Sequence, residues 1–307
     1  MEDIMAVNNE RISAQNAPMP DDVKKIRKSF PIWNVILTVL CILTAIMCLL
    51  PLYVMFINAS KSTTQIQTTV GMNAFVPGAE FINNLKGVFA IEDFPIIRSF
   101  FNSLWLAGAS TVLCVYFSML TAFGFVAYEF KGKKFLYTVV LVAMIVPTQL
   151  GMIGWYRLIA VILGLTNTYA GLIIPSVAAP TTVFFLKQYL ETTYSKEIIE
   201  AARIDGSQEF MTFNRIVIPL SIPAMATMAI FSFVYSWNNY MGPLMIIDDT
   251  NKYTFPLLVQ ILKANPKFQD LALIYTSLLL ITLPLLIVYL AFSKYIVGGV
   301  AIGGVKE

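Results

Sequence analysis

The chain of 307 residues is 57% hydrophobic and 13% charged, with a net charge of +3 and a mean hydropathy of +0.72. Soluble domains carry about 25% charged residues, so this composition excludes an ordinary soluble enzyme and predicts a protein whose solvent is the lipid bilayer. The sequence has no His, its three Cys lie inside apolar segments, and its basic residues are scattered in short loops. These features argue against a metal site, a disulfide framework and a nucleic-acid surface.

Six apolar segments, each long enough to approach or cross the membrane, follow one another along the chain. The first, residues 32–58, follows a polar tail at residues 1–30 and exceeds the roughly 20 residues that span the hydrocarbon core. It also begins too far from Met1 for a cleaved signal peptide. The pattern predicts an all-α membrane protein with a transmembrane domain at residues 31–293 and a C-terminal tail at 294–307. The other five predicted spans are residues 99–128, 135–155, 170–186, 216–247 and 271–293.

The distribution of Lys and Arg predicts the orientation of these spans. With a cytoplasmic N-terminus, most of the 21 basic residues fall in cytoplasmic segments, as the positive-inside rule requires. Six spans then place both termini in the cytoplasm. They also place there the charged segment of residues 187–217, which lies between the fourth and fifth spans.

The six predicted spans contain no Asp, Glu, Lys or Arg. Ionisable groups inside a membrane usually mark proton relays, ion sites or catalytic sites, so the sequence offers no simple mechanism for a proton-driven carrier or an intramembrane enzyme. A phosphate-binding loop is also missing, because Gly299 and Gly304 have its spacing but Val305 stands where Lys is needed. We predict no catalytic, cofactor or metal site; Asp248 and Asp249 would need a further ligand to hold a metal.

The charged segment between the fourth and fifth spans has the pattern of two short helices. Ser195 is a suitable N-cap for the first helix, and Gly206 is placed to end it in the left-handed conformation. Ala201 and Ala202 would make a flat surface that another protein can approach closely. These features fit either a docking surface or an amphipathic loop lying on the membrane. The predicted apolar side consists of Ile198, Ile199, Ala202 and Ile204.

The spacing of residues in this segment is specific. Glu200, Ala201 and Ala202 are followed by Asp205 and Gly206, and then by Phe213, Ile216, Pro219 and Pro223. This arrangement resembles the EAA motif of the integral-membrane subunits of binding-protein-dependent ABC importers. Further segments resemble the carbohydrate-uptake branch and its smaller, maltose-type permease subunit, from about residue 30 to the C-terminus. They are residues 102–104, 147–149, 163–168, 237–240, 243–244 and 294–306.

The resemblance implies that residues 187–217 form a coupling loop that docks in a cleft of a cytoplasmic ATPase dimer. That partner would bind ATP and Mg, and its closure would switch the transmembrane cavity from inward-facing to outward-facing. A second homologous permease would complete a heterodimer, an extracytoplasmic solute-binding protein would deliver the substrate, and the complex would lie in the bacterial cytoplasmic membrane. These partners follow from the family and not from the residue pattern.

The resemblance also implies roles for individual residues of the coupling loop. Glu200 would be the polar contact to the ATPase, Ala201 and Ala202 would pack closely against it, and Gly206 would form the turn. Asp205 would either support the loop locally or contact the partner. Pro219 and Pro223 would carry the motion of the loop into the fifth span.

Candidate substrate contacts lie near the middle of the fifth span. Trp237, Asn238, Asn239 and Tyr240 combine amide and aromatic groups, which bind sugars by hydrogen bonding and ring stacking. Gln149, beside the proline of the third span, is a further candidate for lining the pathway. The same groups could instead serve as hydrogen bonds between packed helices.

These observations predict a permease subunit of an ATP-driven importer, with a sugar or oligosaccharide as its cargo. The chain itself is not predicted to be an enzyme, because ATP hydrolysis belongs to the partner. Two alternatives stay open on the sequence: a secondary carrier, which the number of spans alone would fit, and an ABC permease for a non-sugar solute.

Overall fold

A computed structural model of the chain describes residues 31–91, 94–193, 196–266 and 268–304, and within these residues every regular element is a helix. The predicted all-α fold is therefore confirmed for this part of the chain. The chain divides into two units, Met1–Val54 and Met55–Glu307. The tail of residues 1–30 and Ser195, the predicted N-cap, lie outside the described residues.

The helices follow in chain order, with short 3-10 or π-helical turns between some of them. The 3-10 turns are Gly71–Phe75, Ile174–Ser176 and Thr250–Lys252, and the π-helical turns are Arg157–Ile162 and Phe213–Val217. The α-helices are α1 (Pro31–Ala59), α2 (Thr63–Thr68), α3 (Phe81–Phe89), α4 (Ile96–Ala127), α5 (Lys133–Ile145), α6 (Thr148–Tyr156), α7 (Ala170–Ile173), α8 (Pro180–Thr193), α9 (Lys196–Ile204), α10 (Glu209–Thr212), α11 (Ile218–Asn238), α12 (Met241–Ile246), α13 (Phe255–Ala264) and α14 (Leu271–Gly304).

Five helical segments of the described chain are long and apolar enough to cross a membrane. They correspond to the first, second, fourth, fifth and sixth predicted spans. The bent helix pair Lys133–Ile145 and Gln149–Ile162 corresponds to the third predicted span. If this pair is counted as one span, the described chain has six candidate spans. The five segments are Ile32–Ala59, Ile96–Ala127, Ala170–Thr193, Glu209–Asn238 and Leu271–Phe292.

The third predicted span is interrupted at Pro147. The helix axis bends by 107° between its two helices. Both Val146 and Pro147 have extended backbone angles. Proline disfavours the helical conformation in the residue before it and cannot donate a backbone hydrogen bond. The bend that the sequence predicts at Pro147 is therefore a complete break between two helices.

Three predicted boundaries differ from the structure. The fifth span is predicted to reach residue 247, but its helix ends at Asn238 because the backbone of Asn239 is extended. The Asn239 Oδ1 accepts a hydrogen bond from the Gly242 N–H at 3.0 Å, which supports the separate helix α12. The fourth span continues as α8 to Thr193 instead of ending at residue 186, so part of the predicted loop is helical. The last helix continues to Gly304, past the predicted end at residue 293.

Helix α4 forms the centre of the larger unit and packs along α8 and α11. Ser103, Ala107 and Thr111, which the sequence places on one face of this helix, are all buried. Small side chains allow helix backbones to approach closely when lipid provides no hydrophobic driving force. The Ser103 hydroxyl also accepts a hydrogen bond from the Phe255 N–H at 2.8 Å, which joins the start of α13 to α4.

We predict that Ala107→Leu destabilises the protein, because Ala107 is fully buried against Phe233 and Trp237. Extra methylene groups in a well-packed core typically cost about 1–3 kcal/mol. Val112→Leu is the control, since Val112 lies on the same helix but is exposed. Thermal unfolding of the full-length protein in detergent should show a lower midpoint for Ala107→Leu alone. Equal midpoints for both variants would contradict this packing of α4.

Candidate functional site

Helix α9 carries the central residues of the predicted coupling loop and ends in a Schellman motif. The Ser207 N–H donates to the Ala202 carbonyl at 2.9 Å, and the Gly206 N–H donates to the Arg203 carbonyl at 3.0 Å. Gly206 has φ +77°, the left-handed conformation that the sequence predicts. A side chain at Gly206 would be strained by this backbone conformation even though the space around it is open. The turn is therefore fixed by the backbone of the loop itself.

The two sides of α9 face different surroundings. Ile199 and Ala202 are buried, whereas Glu200 and Ala201 are exposed and Ile204 is 87% exposed. The structure corrects the expectation that Ala201 and Ala202 form one flat outer surface, because successive helical residues point about 100° apart and only one of them can face outward. It also corrects the placement of Ile198 and Ile204 on the apolar inner side, since both side chains are exposed. Asp205, at the end of the helix, is exposed as well.

A large apolar side chain is exposed in the next helix too. Phe210 of α10 is 65% exposed, although Phe213, only three residues further on, is completely buried. Exposed apolar side chains next to polar ones mark surfaces that bind other proteins. We call Glu200, Ala201, Ile204 and Phe210 the docking surface. The sequence motif indicates the first two of these residues, but it does not indicate Ile204 or Phe210.

A cluster of three aromatic rings holds the predicted coupling loop against α4. The Phe213 side chain packs on the rings of Phe123 and Tyr116, with centroid distances of 5.5 and 5.7 Å. The Tyr116 hydroxyl also donates a hydrogen bond to Asn214 Oδ1 at 3.3 Å. Aromatic pairs in this geometry add about 0.5–1.5 kcal/mol to the area that they bury. The Phe of the motif is therefore an anchor to the chain's own core.

A polar cluster joins the two short helices of the loop to the end of α4. Glu209 accepts a hydrogen bond from the Tyr128 hydroxyl at 2.5 Å and forms an ion pair with Arg203 at 2.7 Å. The Arg203 guanidinium lies 5.5 Å from the centre of the Tyr128 ring. Burial and the hydrogen bond to Glu209 raise the pKa of the Tyr128 phenol, which therefore stays protonated and able to donate at neutral pH. This cluster is not predicted by the sequence, in which the opposite charges of Arg203 and Glu209 are its only visible signal.

The coupling loop continues into the fifth span without leaving the helical conformation. The segment Glu209–Asn238 passes from α10 through the π-helical turn Phe213–Val217 into α11. Pro219 lies at the start of α11, directly after the π-helical turn Phe213–Val217. Pro223 lies inside the helix, and its carbonyl accepts a hydrogen bond from the Thr227 hydroxyl at 3.0 Å. Both prolines thus lie on a continuous path between the loop and the middle of the span.

An open cavity of about 450 Å³ lies beside the second half of α11. Two of the predicted lining residues, Asn238 and Asn239, are among its walls. The other lining residues are not predicted by the sequence, although their spacing from Asn238 follows the helical repeat. The lining residues are Phe231, Val234, Tyr235, Asn238 and Asn239.

Trp237 does not line this cavity and is only 1% exposed. Its indole N–H donates to the Ile281 carbonyl at 3.0 Å, and its ring packs against Phe233 and Phe100, with a centroid distance of 5.7 Å in each case. The structure therefore favours the helix-packing alternative for Trp237. Tyr240 is partly buried beyond the end of α11, and Gln149 is exposed near the start of α6. Neither of these two residues is part of the cavity wall.

The described residues contain no cluster of three or more His, Cys, Asp or Glu side chains that could hold a metal ion. Asp249 has a local structural role instead. Its Oδ1 accepts a hydrogen bond from the Asn251 N–H at 2.9 Å, which caps the 3-10 turn Thr250–Lys252.

We predict that Arg203→Ala loosens α9, because it removes the ion pair that holds Glu209 and the contact with Tyr128. Backbone amides of α9 should exchange with deuterium roughly threefold to tenfold faster in the full-length protein. Arg215→Ala is a matched control, since Arg215 is exposed in the same loop and has no hydrogen-bond partner among the described residues. Equal exchange in the two variants would show that the cluster does not hold the loop.

The sequence is similar to a known protein family and to curated transport proteins. Residues 114–301, more than half of the chain, match the family described as binding-protein-dependent transport system inner membrane component. The chain is 31% identical to the arabinooligosaccharides transport system permease protein AraQ of Bacillus subtilis (strain 168), over 90% of this chain and 97% of the relative. It is 30% identical to the lactose transport system permease protein LacG of Rhizobium radiobacter, over 86% of this chain and 93% of the relative.

The fold is also found among solved structures. A chain of a bacterial ABC transporter involved in the import of the acidic polysaccharide alginate superposes with a TM-score of 0.75 at 20% identity, covering 87% of this chain and 98% of that one. At this identity the match establishes a shared fold. The family match and the two permease relatives show that the chain belongs to the inner membrane components of binding-protein-dependent transport systems.

Proposed function

We propose that the chain is one of two permease subunits of an ATP-driven importer for a sugar or oligosaccharide. The family membership and the names of its sugar-transport relatives support this cargo. In this proposal a homologous permease forms the other half of the pathway and a cytoplasmic ATPase dimer binds ATP and Mg. A solute-binding protein delivers the sugar from outside. The chain crosses the bacterial cytoplasmic membrane six times, with both termini in the cytoplasm.

The observation that carries the proposal is the two-sided construction of α9. Its inner side is held by Ile199 and Ala202, and its outer side leaves Glu200, Ala201 and Ile204 uncovered by the rest of the larger unit. An exposed apolar side chain beside a small one and a carboxylate is suited to insertion in a protein cleft. We therefore assign the docking surface to the ATPase. Gly206 fixes the turn behind it, and Asp205 is placed to support that turn.

A continuous segment of the chain connects the docking surface to the transmembrane pathway. A force applied to α9 reaches α10 through Arg203 and Glu209, and Phe213 transfers it to α4. The helical continuity through Pro219 and Pro223 carries it into α11, which forms one wall of the cavity. Family membership argues against the alternative of a secondary carrier, since members of this family are components of multi-protein transport systems.

One prediction of the proposed function concerns the energy source for import. Proteoliposomes that contain this permease with its sister permease and ATPase should import radiolabelled lactose or arabinotriose only when ATP is inside and the binding protein is outside. The control is the same complex with a nucleotide that cannot be hydrolysed. Import by this chain alone without ATP would favour the secondary carrier, and ATP-driven import of a non-sugar solute with no import of either sugar would favour the other alternative.

The second prediction concerns the docking surface. Ala201→Tyr should lower uptake at least tenfold, because a bulky side chain would prevent close approach of the ATPase, whereas Ala201→Ser should retain uptake. Since Ala201 is exposed, neither change disturbs the packed core, and both variants should insert in normal amounts. Copurification of the ATPase with the permease should fall with uptake. Wild-type uptake and ATPase binding in the tyrosine variant would remove α9 from the docking site.

A further inference from the structure

Lys61 is a buried cation with an unused hydrogen-bond donor. It follows the end of α1 by two residues, and only 5% of its surface is exposed. Its ammonium donates to the carbonyls of Asn73 at 3.2 Å and Ala74 at 2.8 Å. An ammonium has three N–H groups, and within the described chain the third has no acceptor and no carboxylate forms an ion pair with Lys61. A buried charge without a counter-ion is costly, so this one calls for an anion.

A cavity of about 240 Å³ opens beside this ammonium. Its wall is built from Lys61, the helix α2, the 3-10 turn that follows and the segment 76–78. The Gln65 Oε1 accepts a hydrogen bond from the Ser62 N–H at 2.9 Å, which leaves the Gln65 NH₂ group to donate. In the part of the chain that the structure describes, the side chains of Thr69 and Asn73 have no hydrogen-bond partner. Four side chains of the wall can therefore donate to one occupant.

The wall contains no negative charge. Lys61 is the only charged residue in the sequence between residues 59 and 79. A set of donors around an ammonium matches an occupant that only accepts hydrogen bonds, because such bonds to an anion are about twice as strong as those between neutral groups. The chemistry of the wall thus favours a carboxylate or a phosphate over a neutral ligand.

The cavity lies level with the ends of two candidate spans. Helix α1 ends two residues before Lys61, and both α1 and α14 contain a candidate span. The Thr63 hydroxyl donates to Asp270 Oδ1 at 2.6 Å and accepts from the Ala272 N–H at 3.1 Å, so the start of α2 is fixed to the start of α14. Lysine side chains near the ends of spans reach the headgroup layer of the bilayer. At this depth the abundant anion is the phosphate of a phospholipid.

Large apolar side chains are exposed along the same segment. Val70 is 80% exposed and Met72 is 89% exposed, and Val76, which lines the cavity, is 56% exposed. Exposed apolar side chains beside a polar site suit contact with acyl chains. The cavity is also smaller than the roughly 300–1,000 Å³ of sites that enclose a whole ligand. It therefore fits one compact group of a larger amphipathic molecule.

We propose that the cavity beside Lys61 binds the phosphate of a membrane phospholipid. Lys61 supplies the counter-charge, and Gln65, Thr69 and Asn73 supply further donors to the phosphate oxygens. The exposed apolar side chains of the same segment contact the acyl chains. The site is separate from the docking surface and from the cargo, because it follows from a buried cation at the end of a span.

The test measures the binding of short-chain phosphatidylglycerol to the full-length protein in an uncharged detergent by native mass spectrometry. Lys61→Met should weaken binding at least tenfold. Asn73→Leu should weaken it at least threefold, because it removes a donor but keeps the backbone carbonyl that accepts from Lys61. Lys86→Met is the matched control, since Lys86 is exposed on α3 and does not line the cavity, and its affinity should equal that of the wild type.

Two further probes separate the phospholipid from other occupants. Inorganic phosphate and the diacylglycerol with the same chains should each bind at least tenfold more weakly than phosphatidylglycerol. Equal binding of inorganic phosphate would identify a free-anion site, and equal binding of diacylglycerol would identify an apolar surface without phosphate recognition. Either result would overturn the proposal. If Lys61→Met fails to fold, Asn73→Leu decides alone, and wild-type affinity in that variant would also overturn it.

Discussion

The attachment of the coupling loop to α4 is the contact on which the arrangement of the site depends. Phe213 provides its apolar part by packing on Phe123 and Tyr116, and Glu209 provides its polar part by joining Arg203 to Tyr128. Because α4 is also the helix against which α8 and α11 pack, the loop is fixed to the same element as these two helices. A short loop with few internal contacts thereby gains a defined position.

Helix α11 has one packed face and one open face. Trp237 and Phe233 bind it to the core, and the Trp237 indole bonds directly to the backbone of α14. On the other face, Tyr235 and Asn238 are left open. One face of α11 is thus fixed by packing, whereas the other face remains open.

The sequence predicts the fold well because its strongest signals are local. Long apolar segments, the break at Pro147 and the turn at Gly206 all follow from the preferences of a few neighbouring residues. The parts that it does not predict depend on tertiary packing. Helical spacing separates Ala201 from Ala202, but only the packing of α9 in the folded chain decides which one is buried. In the same way, Trp237 and Asn238 are equally suited to a pathway by composition, and the neighbouring α14 determines which of them packs inside.

The division of α9 into an inner and an outer side has a consequence for how such subunits diversify. Ile199 and Ala202 are buried in the chain's own core, whereas Ala201 and Ile204 are exposed. Changes at the outer positions alter what the helix presents without altering how it is held. In the proposed docking to an ATPase, substitutions at these outer positions would change which partner is recognised, whereas the residues that hold the helix would stay the same.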